Sequence, residues 1–173
     1  HKEYRRQRQM CIRDSACAEA GIDGLITVDL PPEEVAVMNT ELQRHSIDNI
    51  FLISPTTTED RIITITEQAS GFIYYVALKG VTGAGHLDTE AVEAHLAIIR
   101  QYTDLPVAVG LGIKDAQTAA RVAVCADAVV VGSALVDEIA ADFSEHQDDA
   151  RAIAIGGSLI SSIRKGVNLA TSN

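Results

Sequence analysis

Tryptophan is absent from this 173-residue sequence, and four tyrosines and three phenylalanines supply all its aromatic surface. Basic residues are also scarce, 14 Lys+Arg against 24 Asp+Glu, which leaves a formal net charge of −10. Nucleic-acid surfaces need basic patches and stacking platforms, so both shortages argue against that partner. Long apolar runs are missing too. Stretches such as 128–136 (AVVVGSALV) fall far short of the ~20 residues a membrane-spanning helix requires, and no membrane partner is expected. Cysteine occurs only at 11, 17 and 125, without a pairing framework or metal-ligand spacing, as expected for reduced thiols in a cytoplasmic protein. His45, His86, His95 and His146 show no metal spacing either, and no metal or cofactor site is expected in this chain. What remains is 47% apolar content, enough for the core of one ordinary domain.

Charge is unevenly spread. Residues 1–15 (HKEYRRQRQMCIRDS) hold five of the basic residues and only Glu3 and Asp14 as acids. The remainder carries nine basic and twenty-two acidic residues, a net of −13. The segment has no apolar periodicity, no signal-type apolar region and no cleavage-site pattern. It is expected to be a non-native leader, and residues 16–173 one domain without an internal linker.

From residue 16 onward, short β-branched runs alternate with helix-period segments. The expected strands are Gly24–Leu30, Asn49–Ile53, Phe72–Ala77, Pro106–Gly110 and Ala128–Val131. They are continuous apolar runs, as parallel strands covered on both faces should be. Expected helices cover Pro32–His45 (apolar at Val35, Met38 and Leu42), a segment opened by a Thr56–Glu59 capping box, Asp88–Tyr102, Asp115–Cys125 and Asp148–Lys165. In Asp88–Tyr102, Val92, Leu96 and Ile99 share one face, with His95 nearby. Five such repeats imply a parallel sheet of right-handed βαβ units. An open doubly wound sheet and part of a (β/α)8 barrel both satisfy the pattern.

In either architecture, sites lie at the C-terminal ends of the strands. Three glycine-bearing loops fall there: Gly80-Val81-Thr82-Gly83-Ala84-Gly85, Gly110-Leu111-Gly112, and Gly132-Ser133 running into Ala134–Ala141. Glycine lets backbone approach an anion closely, and N–H groups at a helix start carry partial positive charge toward it. The last two loops resemble the phosphate site after strands seven and eight of such barrels. The five strands would then be four to eight, with 158 residues left after the leader against the ~250 a whole barrel needs. Asp29 is the one acid at a strand end. It could serve as a general base, but a carboxylate accepting loop N–H bonds ahead of Pro31-Pro32 is the plainer reading. Neither a Ser/His/Asp constellation nor an acid/base pair can be assembled.

At these loops the sequence resembles the C-terminal part of the tryptophan synthase alpha chain family. The resemblance runs through Ala20–Gly24 into Val28-Asp29-Leu30-Pro31-Pro32-Glu33-Glu34, then Phe51–Arg61, Gly71–Val76, Gly80–Ala84, Val109–Ile113 and Val131–Val136. It implies a (β/α)8 TIM barrel, here strand–helix units 4 to 8. The implied activity is that of a lyase of aromatic amino-acid (tryptophan) biosynthesis. Such an enzyme cleaves indole-3-glycerol phosphate by a retro-aldol reaction to indole and glyceraldehyde 3-phosphate, and passes indole to a beta subunit in an αββα complex. Pyridoxal phosphate belongs to that beta subunit; the alpha chain itself needs no cofactor. By the same resemblance Gly83, Gly112, Gly132 and Ser133 hold the substrate phosphate, and Ile26, Val28, Leu52 and Tyr74 flank the indole. Thr82 lies in the mobile loop over the substrate, while Asp29 and Pro31 face the beta subunit. The proton-transferring glutamate and aspartate of the family belong to a signature that does not occur here, so no catalytic residue is assigned and the chain is expected to be an inactive fragment. A non-enzymatic phosphate-binding half-barrel and another phosphate-binding barrel enzyme are the alternatives.

Overall fold

A computed structural model of the chain describes residues 15–28, 31–77, 89–110 and 112–171. After a helical turn at 15–19, strands and helices alternate: β1 (Gly24–Ile26), α1 (Ala36–Arg44), β2 (Asp48–Ile53), α2 (Glu59–Gln68), β3 (Ile73–Val76), α3 (Thr89–Ile99), β4 (Val107–Gly110), α4 (Ala116–Ala123) and β5 (Ala128–Val129). Two helices follow β5, α5 (Ser133–His146) and α6 (Asp149–Thr171). The five strands form a sheet in the order β1-β2-β3-β4-β5. Pairing is parallel with Gly24 opposite Asp48 in β1/β2 and Ala108 opposite Ala128 in β4/β5. Strands in sequence order with a helix between neighbours are what repeated right-handed βαβ units produce.

The chain divides into two compact units, one of His1–Tyr74 with Ile98–Pro106, the other of Tyr75–Ala97 with Val107–Asn173. In the first, Val35, Met38 and Leu42 are buried against the sheet side of α1, as their spacing predicts. Ile53, Ile62, Ile65 and Ile73 complete that core. Its buried polar group is Asn49, whose side-chain amide donates to Asn39 Oδ1 at 2.6 Å while Asn39 donates to the Gln68 carbonyl at 3.0 Å. A satisfied chain of this kind ties α1, β2 and the end of α2 together at no desolvation loss.

In the second unit Val107 and Val109 of β4 are fully buried, with Leu96, Ile113 and Val122 packed into the same core. The helix α6 lies along α4 and α5. Gly166 allows this approach, because a Cβ there would overlap the carbonyl group of Ala116. The turn from α5 to α6 passes through Gln147 in a left-handed conformation (φ 51°) and is bridged by Arg151 Nε donating to buried Asp142 at 2.8 Å. Among the described residues, no helix is long and apolar enough to cross a membrane.

Several boundaries differ from the sequence expectation. β1 ends at Ile26, where its ladder with β2 stops, and Asp29 and Leu30 of the expected strand lie outside the described residues. β5 holds only two ladder residues, although Val130 still donates to the Val109 carbonyl at 2.9 Å. The segment Pro32–His45 is a 3-10 turn, Pro32–Glu34, followed by α1 beginning at Ala36. The Thr56–Glu59 capping box does not form. Thr58 is the N-cap of α2 and makes no side-chain cap bond, while Thr56 bonds Ser54 Oγ at 2.9 Å and Thr57 accepts the Ser54 N–H at 3.0 Å. The box residues are spent on the preceding turn, and Glu59 accepts the Tyr102 hydroxyl instead. The last expected helix, Asp148–Lys165, is α6, which runs on to Thr171, and residues 133–146 form a further helix before it.

Candidate phosphate-binding site

Register decides where the two glycine loops of the second unit emerge. Val109 lies opposite Val129, and the Val130 N–H continues the ladder onto Val109. The chain therefore leaves β4 and β5 side by side at their C-terminal ends. After β4, Gly112 is exposed and left-handed (φ 50°), a conformation costly for any residue with a Cβ. The next residue, Ile113, is 2% exposed and pins the loop to the core. Asp115 then caps α4, its Oδ1 accepting from the Thr118 backbone N–H and from the Thr118 hydroxyl, both at 2.7 Å. These bonds, the hydroxyl one first, hold the Asp115 carboxyl below its ordinary pKa.

After β5, Gly132 (φ −119°, ψ −90°) turns directly into α5, and Ser133 is its first residue. Among the described residues no side chain caps this terminus, and a Cβ at Gly132 would meet nothing within 4 Å. A 14-residue helix thus begins beside an exposed glycine, with its macrodipole favouring negative charge there. Gly112, Gly132 and Ser133 are brought to one end of adjacent strands. The remaining expected phosphate residue, Gly83, lies outside the described residues.

The expected indole-flanking residues all fall in the first unit. Ile26 pairs with Ile50, so Ile26, Ile50 and Leu52 share one face of β1/β2. Leu52 and Tyr74 are half-buried, whereas Ile26 and Val28 are exposed, Val28 by 74%. On β3 the alternation is clear, with Ile73 and Tyr75 buried and Tyr74 and Val76 half-buried on the opposite face. Burial pushes the Tyr75 hydroxyl pKa up, and its ring lies 6.0 Å from His95. His95 Nδ1 is 2.8 Å from the Ala91 carbonyl, a helix-internal contact. Pro31 is half-buried and precedes the 3-10 turn. Asp29, Thr82 and His86 lie outside the described residues. His146 sits 3.2 Å from Asp142, and no group of three or more metal-ligating side chains occurs among the described residues.

Sequence reasoning missed the role of Asp115. Its signal was present as Asp115-Ala116-Gln117-Thr118, an acid three residues before a hydroxyl at a helix start.

Parallel strands alternating with helices, with glycine turns at adjacent strand ends and one turn feeding a helix terminus, define an α/β barrel-type scaffold. The tryptophan synthase alpha chain family model matches residues 13–162. The alpha chain of Thioalkalivibrio sulfidiphilus is 54% identical over 154 residues, covering 88% of this chain and 56% of that protein. That of Dechloromonas aromatica is 48% identical over 154 residues, covering 89% and 56%. The crystal structure of tryptophan synthase subunit alpha from Legionella pneumophila superposes with a TM-score of 0.80 at 36% identity, covering 94% of this chain and 58% of that one. The chain belongs to the tryptophan synthase alpha chain family. It spans about half the length of the curated relatives it matches.

Proposed function

We propose that this chain carries the phosphate-binding part of a cytoplasmic alpha-chain barrel, units 4 to 8, and binds the phosphate of indole-3-glycerol phosphate or of its product glyceraldehyde 3-phosphate. The observation that carries this reading is the pairing of left-handed Gly112 with the N-terminus of α5 at Gly132 and Ser133, which no side chain among the described residues caps. Backbone N–H groups there supply donors for the phosphate oxygens, and Ser133 adds a hydroxyl. Gly83 completes the set in this proposal, and Thr82 belongs to the loop that covers the substrate. Ile26, Val28, Leu52 and Tyr74 offer an apolar surface for the indole ring. Asp29 and Pro31 are proposed to face a beta subunit, as in an αββα assembly.

Retro-aldol cleavage breaks the bond between the indole ring and the glycerol phosphate chain. A proton must be delivered to the indole carbon and one removed from the glycerol hydroxyl, work suited to positioned carboxylates. The family's glutamate–aspartate signature does not occur in this sequence, and binding without turnover is the proposed state of this chain. Titrating the full chain with glyceraldehyde 3-phosphate, followed by calorimetry, tests the binding half. Saturable binding weakened several-fold by Ser133→Ala is expected; heats that neither saturate nor respond to that substitution would refute it.

A further inference from the structure

Gly112 is exposed and left-handed, with a buried strand before it and an anchored helix start after it. On the strand side, Val109 is fully buried and its carbonyl accepts the Val130 N–H. On the helix side, only Ile113 and Lys114 separate Gly112 from Asp115. Asp115 is extended (φ −152°, ψ 169°) and both its side-chain hydrogen bonds go to one residue, Thr118, which is itself 7% exposed and so fixed in the core. With Ile113 buried as well, little conformational freedom is left between Gly112 and the cap, and the helix-side anchors fix the backbone that follows Gly112.

We infer that Asp115 is a positioning residue for the phosphate site, its cap on Thr118 holding the Gly112 backbone in the orientation an anion needs. This rests on the phosphate-binding reading above. Asp115 does not contact the anion in this account. A carboxylate near a phosphate would repel it, and engagement of its Oδ1 by the N–H and hydroxyl of Thr118 compensates that charge at the helix start. Asparagine can make the same cap without the charge.

The test is a titration of the isotopically labelled full chain with inorganic phosphate, reading the amide resonances of Gly112, Gly132 and Ser133. In the unaltered chain these shift saturably. Asp115→Ala is expected to weaken phosphate about fivefold, the size of effect one lost N-cap has on an equilibrium. Asp115→Asn is expected to restore affinity to within about twofold of the parent, since asparagine caps as well as aspartate. Asp148→Ala separates positioning from general destabilisation. It removes the comparable cap on α6, where Asp148 Oδ1 accepts from Ala150 and Arg151 at 3.0 and 3.2 Å, and should leave phosphate affinity unchanged. Should Asp115→Ala fail to fold, Thr118→Val removes only the hydroxyl contact and gives a smaller loss of the same sign. Unchanged affinity in folded Asp115→Ala or Thr118→Val, or an equal loss in Asp148→Ala, overturns the inference. Absence of any saturable shift in the unaltered chain instead overturns the phosphate-binding reading on which it stands.

Discussion

The Asp115 carboxylate is held below its ordinary pKa, first by the Thr118 hydroxyl and then by the Thr118 backbone N–H. A depressed folded-state value means that the folded chain binds the proton less readily than the unfolded one. The cap's contribution is therefore fully present above the unfolded value of about 3.9, and is lost as pH falls through the lower folded value. The difference in melting temperature between the parent chain and Asp115→Ala should hold from pH 7 to pH 5 and shrink below about pH 4; a gap that widens in acid would contradict the assignment. Leu96, with no exposed surface, tests ordinary packing: Leu96→Ala should cost about 2–5 kcal/mol by urea unfolding. Leu96 was legible from spacing alone, since Val92, Leu96 and Ile99 all lie on the buried face of α3. The Asp142–Arg151 pair was not, because its members sit nine residues apart across the left-handed Gln147, where helical periodicity no longer relates positions. His95 was legible in part: it lies half-buried beside Tyr75, near the core face as its spacing suggested.

Helices and strands tell a different story from single residues. The five strands stood out as continuous apolar runs, although only β2 and β4 are buried along most of their length and β1, β3 and β5 are half-buried or exposed on part of theirs. Their ends did not, since a strand stops where its partner's ladder stops, and β1 and β5 are cut to three and two residues for that reason. The loop at Thr56–Glu59 shows how one motif serves two structures: its hydroxyls close a turn onto Ser54, and α2 starts without a side-chain cap. At the helix scale, the α4–α6 contact makes the clearest prediction. Gly166 is buried where α6 meets the first residue of α4, and any Cβ would press on the Ala116 carbonyl, a backbone group unable to swing aside. Gly166→Ala should raise helix propensity yet destabilise the chain by about 1–3 kcal/mol through overpacking. Gly157, where a Cβ meets nothing within 4 Å, provides the comparison on the same helix. Gly157→Ala should be neutral or stabilising by up to about 1 kcal/mol in denaturant titrations, and equal losses at both positions would mean that α6 does not pack as described.

For the molecule as a whole, binding and chemistry come apart. The match to relatives covers just over half of their length, yet within it lie the two loops proposed here to bind phosphate, Gly112 and Gly132-Ser133. Anion binding at such loops depends on backbone N–H groups and a helix terminus, which need only local structure. Acid–base chemistry depends on side chains at fixed places, and each positioned group contributes typically 10²–10⁴-fold to rate. Removing the proton-transfer groups should therefore abolish turnover while leaving phosphate affinity within reach of a complete relative's. The chain should release indole from indole-3-glycerol phosphate at least about 10²-fold more slowly than the complete Legionella pneumophila subunit assayed beside it, even at ligand concentrations that saturate the site. If the chain binds without turnover as proposed, raising the substrate concentration should not narrow the difference, as it would if weak binding alone were responsible. Indole release within about tenfold of the complete subunit would mean that some carboxylate of these 173 residues reaches the reacting atoms, and Asp29→Asn would be the first substitution with which to find it.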